Sequence, residues 1–476
     1  MRQSRRSFLK QAGLLGASLT ISSKMASAMS GIRNKDRLKS DSYPLHEQRS
    51  GSDQLISNFD FQFFEALTKD VLESSRIYPG QFISETFGRN DTGGTLIRPG
   101  GRDTYPSFWI RDYAMALECG IVSVEEQKHM LQLTAATQCG QTWITKGGSM
   151  IPLGSVADHI RIDNSLPIYF PGTYSYEDQG IPRWGTLPPI SDQFFFIHMA
   201  HQFMKASSDV AFLLEKINGF SLLNRLEMAF NLPATRNDSP VVYTTEKLRA
   251  VDFGFRDTII ITGDLCYPSI LKYRAANELA ELLEKTGYKS KGEEYRTLAQ
   301  TLKKAIARIF FRDGMLLAST GYSSQPDVWA TALAVYLGVL DGEEADAACR
   351  KLTNAYKEGI LAHKGNIRHV LTADDYSEDT AWEKTTVKKN TYQNGAYWGT
   401  PTGWVAFAIA RVDIDAARKL VAEFVEDLRE NDYRKGDEYG APWECIFPPD
   451  YKQNPVYLTT VACPYIVFKN FDPGNS

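Results

Sequence analysis

Residues 264–310 read DLCYPSILKYRAANELAELLEKTGYKSKGEEYRTLAQTLKKAIARIF, two stretches of helical periodicity separated by a very short turn. Apolar residues recur at intervals of three and four along 264–285 and again along 289–310, which is the spacing of one helix face. Only Thr286, Gly287 and Tyr288 lie between the two stretches. Because so short a turn makes the two helices antiparallel, this segment predicts an αα-hairpin.

The same alternation of helices and tight turns recurs along the chain. Apolar spacing and capping residues predict twelve helices, at 58–77, 108–119, 124–138, 192–207, 210–231, 264–285, 289–310, 327–337, 342–356, 402–411, 414–431 and 458–469. The turns after the second, fourth, sixth, eighth and tenth helices are tight. The other connections, at 78–107, 139–191, 232–263, 311–326, 357–401 and 432–457, are long, which is typical of functional loops.

Because successive helices alternate in direction, every long connection emerges at the same end of the molecule. Alternating runs within these connections predict small β-hairpins there. We therefore predict an all-α fold, an (α/α)6 toroid of six antiparallel helical hairpins with long loops at one end. An unclosed helical array or two separate bundles is the alternative.

The first residues have the features of an export signal. SRRSFLK at 4–10 is a twin-arginine pattern, a moderately apolar stretch follows it, and ASA at 26–28 resembles a cleavage site. We expect residues 1–28 to be a signal peptide, 29–55 a polar linker and 56–476 the catalytic domain. This predicts export by the twin-arginine machinery to the periplasm or the medium. No later segment has 18 uninterrupted apolar residues, so we expect no membrane attachment after signal removal.

Charge and aromatic content narrow the kind of partner. A net charge of −4 provides no basic surface for nucleic acid. Five of the eight tryptophans lie in the long connections, and three lie in the first turns of helices that begin at the same end: Trp143, Trp184, Trp382, Trp398 and Trp443, then Trp109, Trp329 and Trp404. Since flat aromatic faces suit sugar rings, this end is predicted to bind carbohydrate, with burial beneath the loops as the alternative.

Two of the long connections carry the carboxylates that glycosidic bond cleavage requires. That reaction needs a protonated acid beside the leaving oxygen and an ionised partner. Asp252 and Asp257 lie in VDFGFRD at 251–257, and Glu438 and Glu444 lie in GDEYGAPWEC at 436–445. Neighbouring aromatic residues raise a carboxyl pKa, which suits a general acid.

A third group of residues opens the second predicted helix. The sequence YPSFWIRDY at 105–113 contains Trp109, Arg111 and Asp112. The arginine presents a fork of donors and the aspartate an acceptor, which together fit vicinal sugar hydroxyls.

The segment FWIRD at 108–112 resembles the W-x-R-D signature of the six-hairpin glycosidases, the superfamily of glucoamylases, trehalases and processing α-glucosidases. YQNGAYWGTPTGW at 392–404 is similar to the segment that precedes the tenth helix in those enzymes. The resemblance covers most of the mature chain in order, through short motifs. It implies that Arg111 and Asp112 hold sugar, that the general acid lies in 232–263 and that the base lies in 432–457.

Carried onto this sequence, the resemblance makes Glu444 the base, with Glu438 as the second candidate. Trehalase-like enzymes have ESGxD where this chain has DFGFRD at 252–257, one residue longer after the glycine. Asp252 and Asp257 therefore both stay candidates for the acid, with Asp257 preferred. The aromatic and polar residues expected to bind substrate are Trp109, Arg111, Asp112, Tyr397, Trp398, Trp404 and Trp443.

These patterns predict a glycoside hydrolase of inverting type, since the resembling superfamily mostly inverts. One alternative is a polysaccharide lyase or sugar epimerase, for which His363 and His369 are the best-placed bases. Another is a periplasmic glycan-binding protein without catalysis. No metal or cofactor is expected, because His198 and His201 lack a third nearby ligand and no phosphate-binding glycine loop is present.

Overall fold

The computed structural model describes residues 54–102, 104–251 and 255–471, and within them lie thirteen α-helices. They are α1 Asn58–Ser75, α2 Ile110–Ala116, α3 Val124–Thr137, α4 Ser191–Ser207, α5 Val210–Leu214, α6 Leu222–Asn231, α7 Cys266–Lys285, α8 Lys289–Phe310, α9 Val328–Tyr336, α10 Gly342–Lys357, α11 Thr402–Ala410, α12 Ile414–Glu430 and α13 Leu458–Asn470. The predicted signal peptide and nearly all of the predicted linker lie outside the described residues.

Several helices begin where the sequence supplies a side-chain cap. Ser123 accepts a hydrogen bond from the backbone N–H of Glu126, whose carboxylate accepts one from the backbone N–H of Ser123, a capping box at the start of α3. Asp327 and Asp413 cap α9 and α12 in the simpler way, each accepting one backbone N–H. These caps set the boundaries of the helices that the hairpins require.

The fifth predicted helix, at 210–231, is wrong as a single helix. The chain forms α5, then a β-hairpin of Lys216–Ile217 with Phe220–Ser221, and then α6. Asn218 and Gly219 form the turn with φ of 49° and 90°. An Asn-Gly pair is the favoured two-residue turn of a hairpin, and here it outweighs the helical spacing of the apolar residues around it.

Short strands occupy the connections. They are β1 Arg76–Ile77, β2 Phe82–Ser84, β3 Gly88–Arg89, β4 Leu96–Ile97, β5 Ser107–Trp109, β6 Trp143–Ile144, β7 Met150–Ile151, β8 His159–Arg161, β9 Pro167–Ile168, β10 Lys216–Ile217, β11 Phe220–Ser221, β12 Thr235–Arg236, β13 Ser239–Thr244, β14 Gly263–Asp264, β15 Phe311–Arg312, β16 Met315–Leu316, β17 Ala362–His363, β18 Asn366–Ile367, β19 Trp443–Phe447 and β20 Tyr451–Pro455. β5–β8–β9 and β12–β13–β14 are three-stranded antiparallel sheets, and the other strands pair in twos. The predicted helical class with small hairpins in the loops is thus confirmed.

Six helices contact one another in a closed cycle. α2 packs on α4, α4 on α7, α7 on α9, α9 on α11, α11 on α13, and α13 on α2. Each follows a long connection. All seven residues of α2 are buried, including the charged Arg111 and Asp112, and α9 is buried from Val328 to Val335. The other long helices pack outside: α8 on α7, α12 on α11 and α1 on α13. None of the helices in the described part of the chain is long and apolar enough to cross a membrane.

Candidate active site

Arg111 and Asp112 lie in the first turn of α2, which follows directly after strand β5. Nη1 of Arg111 lies 3.2 Å from Oδ1 of Asp257, and its Nε lies 4.0 Å from Oδ2 of Asp112. The hydroxyl of Tyr457, the residue before α13, donates to Oδ1 of Asp112 at 2.5 Å. Arg111, Asp112 and Asp257 are 4%, 2% and 7% exposed. These contacts join the starts of α2 and α13 to the connection before α7.

Asp257 is held by two further contacts. Nε2 of Gln393 donates to its Oδ2 at 3.2 Å, while Oε1 of Gln393 accepts from the backbone N–H of Thr258 at 2.7 Å. The ring of Phe255 lies 4.9 Å from the Arg111 guanidinium carbon, so the cation faces an aromatic ring. Asp252, the other candidate for the acid, lies outside the described residues.

The position of Asp257 also depends on its neighbour Arg256. Nη1 of Arg256 donates to Oδ2 of Asp327 at 2.5 Å, and both side chains are completely buried. Asp327 also caps α9 through its Oδ1, which accepts the backbone N–H of Ala330 at 3.1 Å. The loop that carries Asp257 is therefore anchored to the start of α9.

Glu444 lies in β19 and is 1% exposed. Its Oε2 accepts the hydroxyl of Tyr105 at 2.8 Å and the side-chain amide of Asn454 in β20. The amide of Asn454 also donates to the Tyr105 hydroxyl oxygen at 2.9 Å. Glu438, the second candidate for the base, is exposed. Of the two glutamates, only Glu444 is enclosed by the protein, so Glu444 is the better candidate for the base.

Burial dominates the electrostatics of Glu444 and Asp112. It raises the pKa of Glu444 to about 7, against the hydrogen bonds from Asn454 and Tyr105, and the charge of Asp112 raises it further. Burial likewise raises the pKa of Asp112 to about 6, against the charge of Arg111 and the hydrogen bond from Tyr457. Two neighbouring carboxyl groups thus change charge close to neutral pH, a typical property of catalytic sites.

The predicted aromatic residues divide into two groups. Trp109 packs edge-on against Tyr105, with 5.6 Å between the ring centroids, and the hydroxyl of Tyr105 binds Glu444. Trp443 is partly exposed beside Glu444, and Tyr397 stacks on Phe447 at 5.8 Å. These three rings lie around the strand that carries Glu444.

The other two predicted tryptophans do not offer an open face. Trp398 is fully buried and packs against Phe255 at 5.5 Å and Trp329 at 5.8 Å, so it supports the loop from beneath. Trp404 lines a separate cavity together with Glu118, Arg274 and other residues from the bodies of the ring helices. Sequence position placed both near the site, but the direction of the side chain is set by packing.

The histidines that a lyase would use as bases pack against aromatic rings. His369 stacks on Trp329 with centroids 3.9 Å apart, and His363 packs against Tyr397 at 5.6 Å. His198 lies elsewhere, with Nδ1 2.5 Å from Oε1 of Glu278. Among the residues that the structure describes, no group of three or more His, Cys, Asp or Glu side chains is arranged to hold a metal ion.

Sequence reasoning missed five residues that organise the site: Tyr457, Gln393, Asn454, and Asp158 and His159 in and beside β8. Gln393 and Tyr457 stand in or next to segments that drew attention for other reasons, at 392–404 and before the last helix. No spacing rule connects either to a partner more than 100 positions away. The roles of Gln393 and Tyr457 can therefore be recognised only after the fold is known.

No protein-family model and no curated protein matches this sequence. Solved structures of rhamnosidases do match it in three dimensions. A rhamnosidase from Klebsiella oxytoca with rhamnose bound superposes with a TM-score of 0.52 and 12% identity, over 87% of this chain and 64% of that one. The α-L-rhamnosidase from Dictyoglumus thermophilum gives a TM-score of 0.50 and 10% identity, over 86% of this chain and 37% of that one.

A GH78 family rhamnosidase of Bacillus sp. GL1 superposes with a TM-score of 0.48 and 13% identity, over 90% of this chain and 36% of that one. The chain therefore spans less than two thirds of the length of each of these three proteins. At such identities the likeness concerns the fold, which this chain shares with the first two rhamnosidases.

Proposed function

We propose that this chain is a glycoside hydrolase built on an (α/α)6 toroid, with the domain at 56–476 as its catalytic domain. The observation that carries the proposal is the convergence of Asp257 and Glu444, from two separate loops, on Arg111 and Asp112. Two carboxyl groups beside a donor fork and an acceptor are the groups that glycosidic cleavage and sugar binding need. The closed cycle of six helices supports the toroid.

Carbohydrate as the substrate class has independent support. The rhamnosidase that shares this fold was solved with rhamnose bound. In this chain, the hydroxyl of Tyr105 binds Glu444 and the ring of Trp109 packs against Tyr105, so two aromatic rings lie beside the carboxyl cluster. An enclosed cluster of this kind suits one terminal sugar unit rather than a long chain passing through, so exo action is part of the proposal.

In the proposed reaction, Asp257 protonates the leaving oxygen and Glu444 removes a proton from the attacking water. Water then attacks from the face opposite to the leaving group, which inverts the anomeric configuration. Burial favours the protonated form of Glu444, so this base is ionised mainly above about pH 7.

The roles can be tested by the dependence on the leaving group. NMR of products from a panel of aryl glycosides and oligosaccharides reports the sugar, the linkage and the anomeric outcome together. Asp257→Asn should then lose about 10²- to 10⁴-fold in rate on poor leaving groups and much less on dinitrophenyl glycosides, which depart without a proton. Glu444→Gln should lose activity on all of them. The opposite pattern would exchange the two roles, and retention of configuration would overturn inversion.

A second candidate function is glycan binding without turnover, favoured by the contacts of Asp257, because both of its carboxyl oxygens already accept hydrogen bonds from Arg111 and Gln393. Calorimetric binding of a sugar whose glycosides are all left intact would select this function.

We also propose that residues 1–28 direct export through the twin-arginine machinery to the periplasm or the medium. The proposal rests on the sequence SRRSFLK at 4–10. Replacing Arg5 and Arg6 together by Lys should keep the unprocessed chain in the cytoplasm, as seen by fractionation; normal processing of that variant would contradict the proposal.

A further inference from the structure

A histidine beside the carboxyl cluster has a buried ring nitrogen without a protein partner. His159 lies in β8, directly opposite Trp109 of β5. Its side chain is fully buried, and its Nε2 makes no hydrogen bond with any described residue. Since buried polar atoms in folded proteins nearly always have a partner, a water or ligand atom is expected at this nitrogen.

The orientation of the His159 ring is fixed on three sides. Nδ1 lies 2.7 Å from Oδ2 of Asp158. The ring stacks on Trp109, with centroids 4.1 Å apart and planes 19° apart, and the ring of Tyr174 meets it edge-on at 5.1 Å. A carboxylate at Nδ1 holds the proton of the neutral imidazole there, which leaves Nε2 as a hydrogen-bond acceptor.

His159 and Asp158 belong to the same site as the carboxyl cluster. The backbone carbonyl of Asp158 accepts the N–H of Ile110, the first residue of α2, at 3.1 Å. The charge of Asp158 contributes to the raised pKa of Asp112. On the other side, Trp109 packs against Tyr105, whose hydroxyl binds Glu444. One aromatic ring therefore separates His159 from the tyrosine that holds Glu444.

We propose that His159 is a sugar-binding residue, whose Nε2 accepts a hydrogen bond from one hydroxyl of the bound sugar while Asp158 holds the ring in position. The inference rests on the proposed function, because it names the hydroxyl recognition of that same site. A sugar lacking this hydroxyl would leave the nitrogen without a partner, so His159 selects against deoxy analogues at one position.

Nitrogen NMR tests the contact directly. In the ¹⁵N-histidine-labelled full chain, His159→Phe assigns the His159 signals. We expect the free protein to show the Nδ1–H tautomer, and we expect the Nε2 resonance to move upfield when a sugar from a panel of L-rhamnose, D-glucose, D-mannose and D-galactose binds. An Nε2 resonance that does not respond to a sugar whose binding is measured by calorimetry would overturn the inference.

Kinetics separate a binding role from a structural one. His159→Phe keeps the stacking on Trp109 and removes Nε2, whereas His159→Gln places an amide close to the same point. On the aryl glycoside that the wild type hydrolyses, we expect His159→Phe to lower kcat/KM at least about tenfold, chiefly through KM, and His159→Gln to recover part of the loss. His129→Phe, on the outer helix α3, is the matched control and should match the wild type.

The outcomes distinguish this inference from the proposed function. If His159→Phe hydrolyses the substrate as fast as the wild type, the role of His159 is contradicted and the proposed hydrolase function stands. Sugar binding without turnover, lost in His159→Phe, removes the hydrolase and keeps the role of His159. Absence of any sugar binding or turnover overturns both.

Discussion

Arg111 and Asp257, 146 positions apart in the sequence, form a buried ion pair with 3.2 Å between Nη1 and Oδ1. The pair joins the first turn of α2 to the connection before α7, so it has a structural as well as a chemical role. Removing the cation leaves a buried carboxylate without its charge partner.

Arg111→Met should therefore lower the free energy of unfolding by about 3–5 kcal/mol and abolish activity. Urea unfolding and kcat/KM on the best aryl glycoside are the measurements. Arg296→Met is the control, because the Arg296–Glu284 pair is 2.8 Å long but more than a third exposed and should cost less than about 1 kcal/mol. Equal losses of unfolding free energy in the two variants would show that the buried pair contributes no more to stability than the exposed pair.

Glu444 should make a contribution to stability that falls as pH rises from about 4.5 to about 7. The pKa of Glu444 is about 7 in the folded chain and near 4.5 when unfolded, so the native state binds this proton more tightly. At about 1.4 kcal/mol per pH unit, Glu444 should contribute about 3 kcal/mol less stability at pH 8 than at pH 4. Glu444→Gln should remove this loss, so it should be more stable than the wild type at pH 8.

Urea unfolding at pH 4.5, 6 and 8 measures this dependence. Glu438→Gln is the matched control, since Glu438 is six positions away and exposed. If Glu444→Gln and Glu438→Gln keep the same pH dependence as the wild type, Glu444 does not titrate near neutrality.

Tyr105 should affect the pH at which kcat/KM rises on the acid side of the pH–rate profile. With Glu444 as base, kcat/KM rises with pH through the pKa of Glu444, near 7. The Tyr105 hydroxyl stabilises the ionised form, so Tyr105→Phe should move this limb to higher pH. The full profile of kcat/KM between pH 5 and 9 is the measurement, with Tyr78→Phe as a control at an exposed tyrosine. A limb that moves to lower pH would indicate that Glu444 is not the base.

Asp327 has two separable roles, as cap of α9 and as partner of Arg256. Asp327→Asn keeps an oxygen for the cap and loses the buried charge, so it should cost about 3–5 kcal/mol. Asp327→Ala loses the cap as well and should cost about 1 kcal/mol more. Because Arg256 precedes Asp257, both variants should also lower kcat. Asp413→Ala, a cap without the buried pair, should cost only the smaller amount in urea unfolding.

The helices were predictable wherever local signals agreed with each other. α8 begins and ends where its periodicity and the turn around Gly287 place it, because the amphipathic pattern and the turn favour the same boundary. At Asn218 and Gly219 these signals conflict, and the turn dominates. Helix boundaries can thus be predicted from sequence only where the helical periodicity and the turn-forming residues favour the same boundary.

The residues of the site were only partly predictable. Arg111, Asp112 and Glu444 stand in motifs that carry chemistry by their composition. Tyr457 and Gln393 act through partners selected by the folded chain, which local spacing does not encode. The positions of Trp398 and Trp404 depend on which face of the backbone the neighbouring helices cover, so their distance from Glu444 required coordinates.

The last helix closes the cycle, because α13 packs on both α1 and α2. The ribosome must therefore synthesise the chain through α13 before α1 and α2 meet this partner. Nascent chains that end before Tyr457 would expose the apolar flanks of α1 and α2 and would leave Asp112 without the hydroxyl of Tyr457. The cycle of helices therefore closes only after α13 has been synthesised, and a chain terminated before α13 should be insoluble.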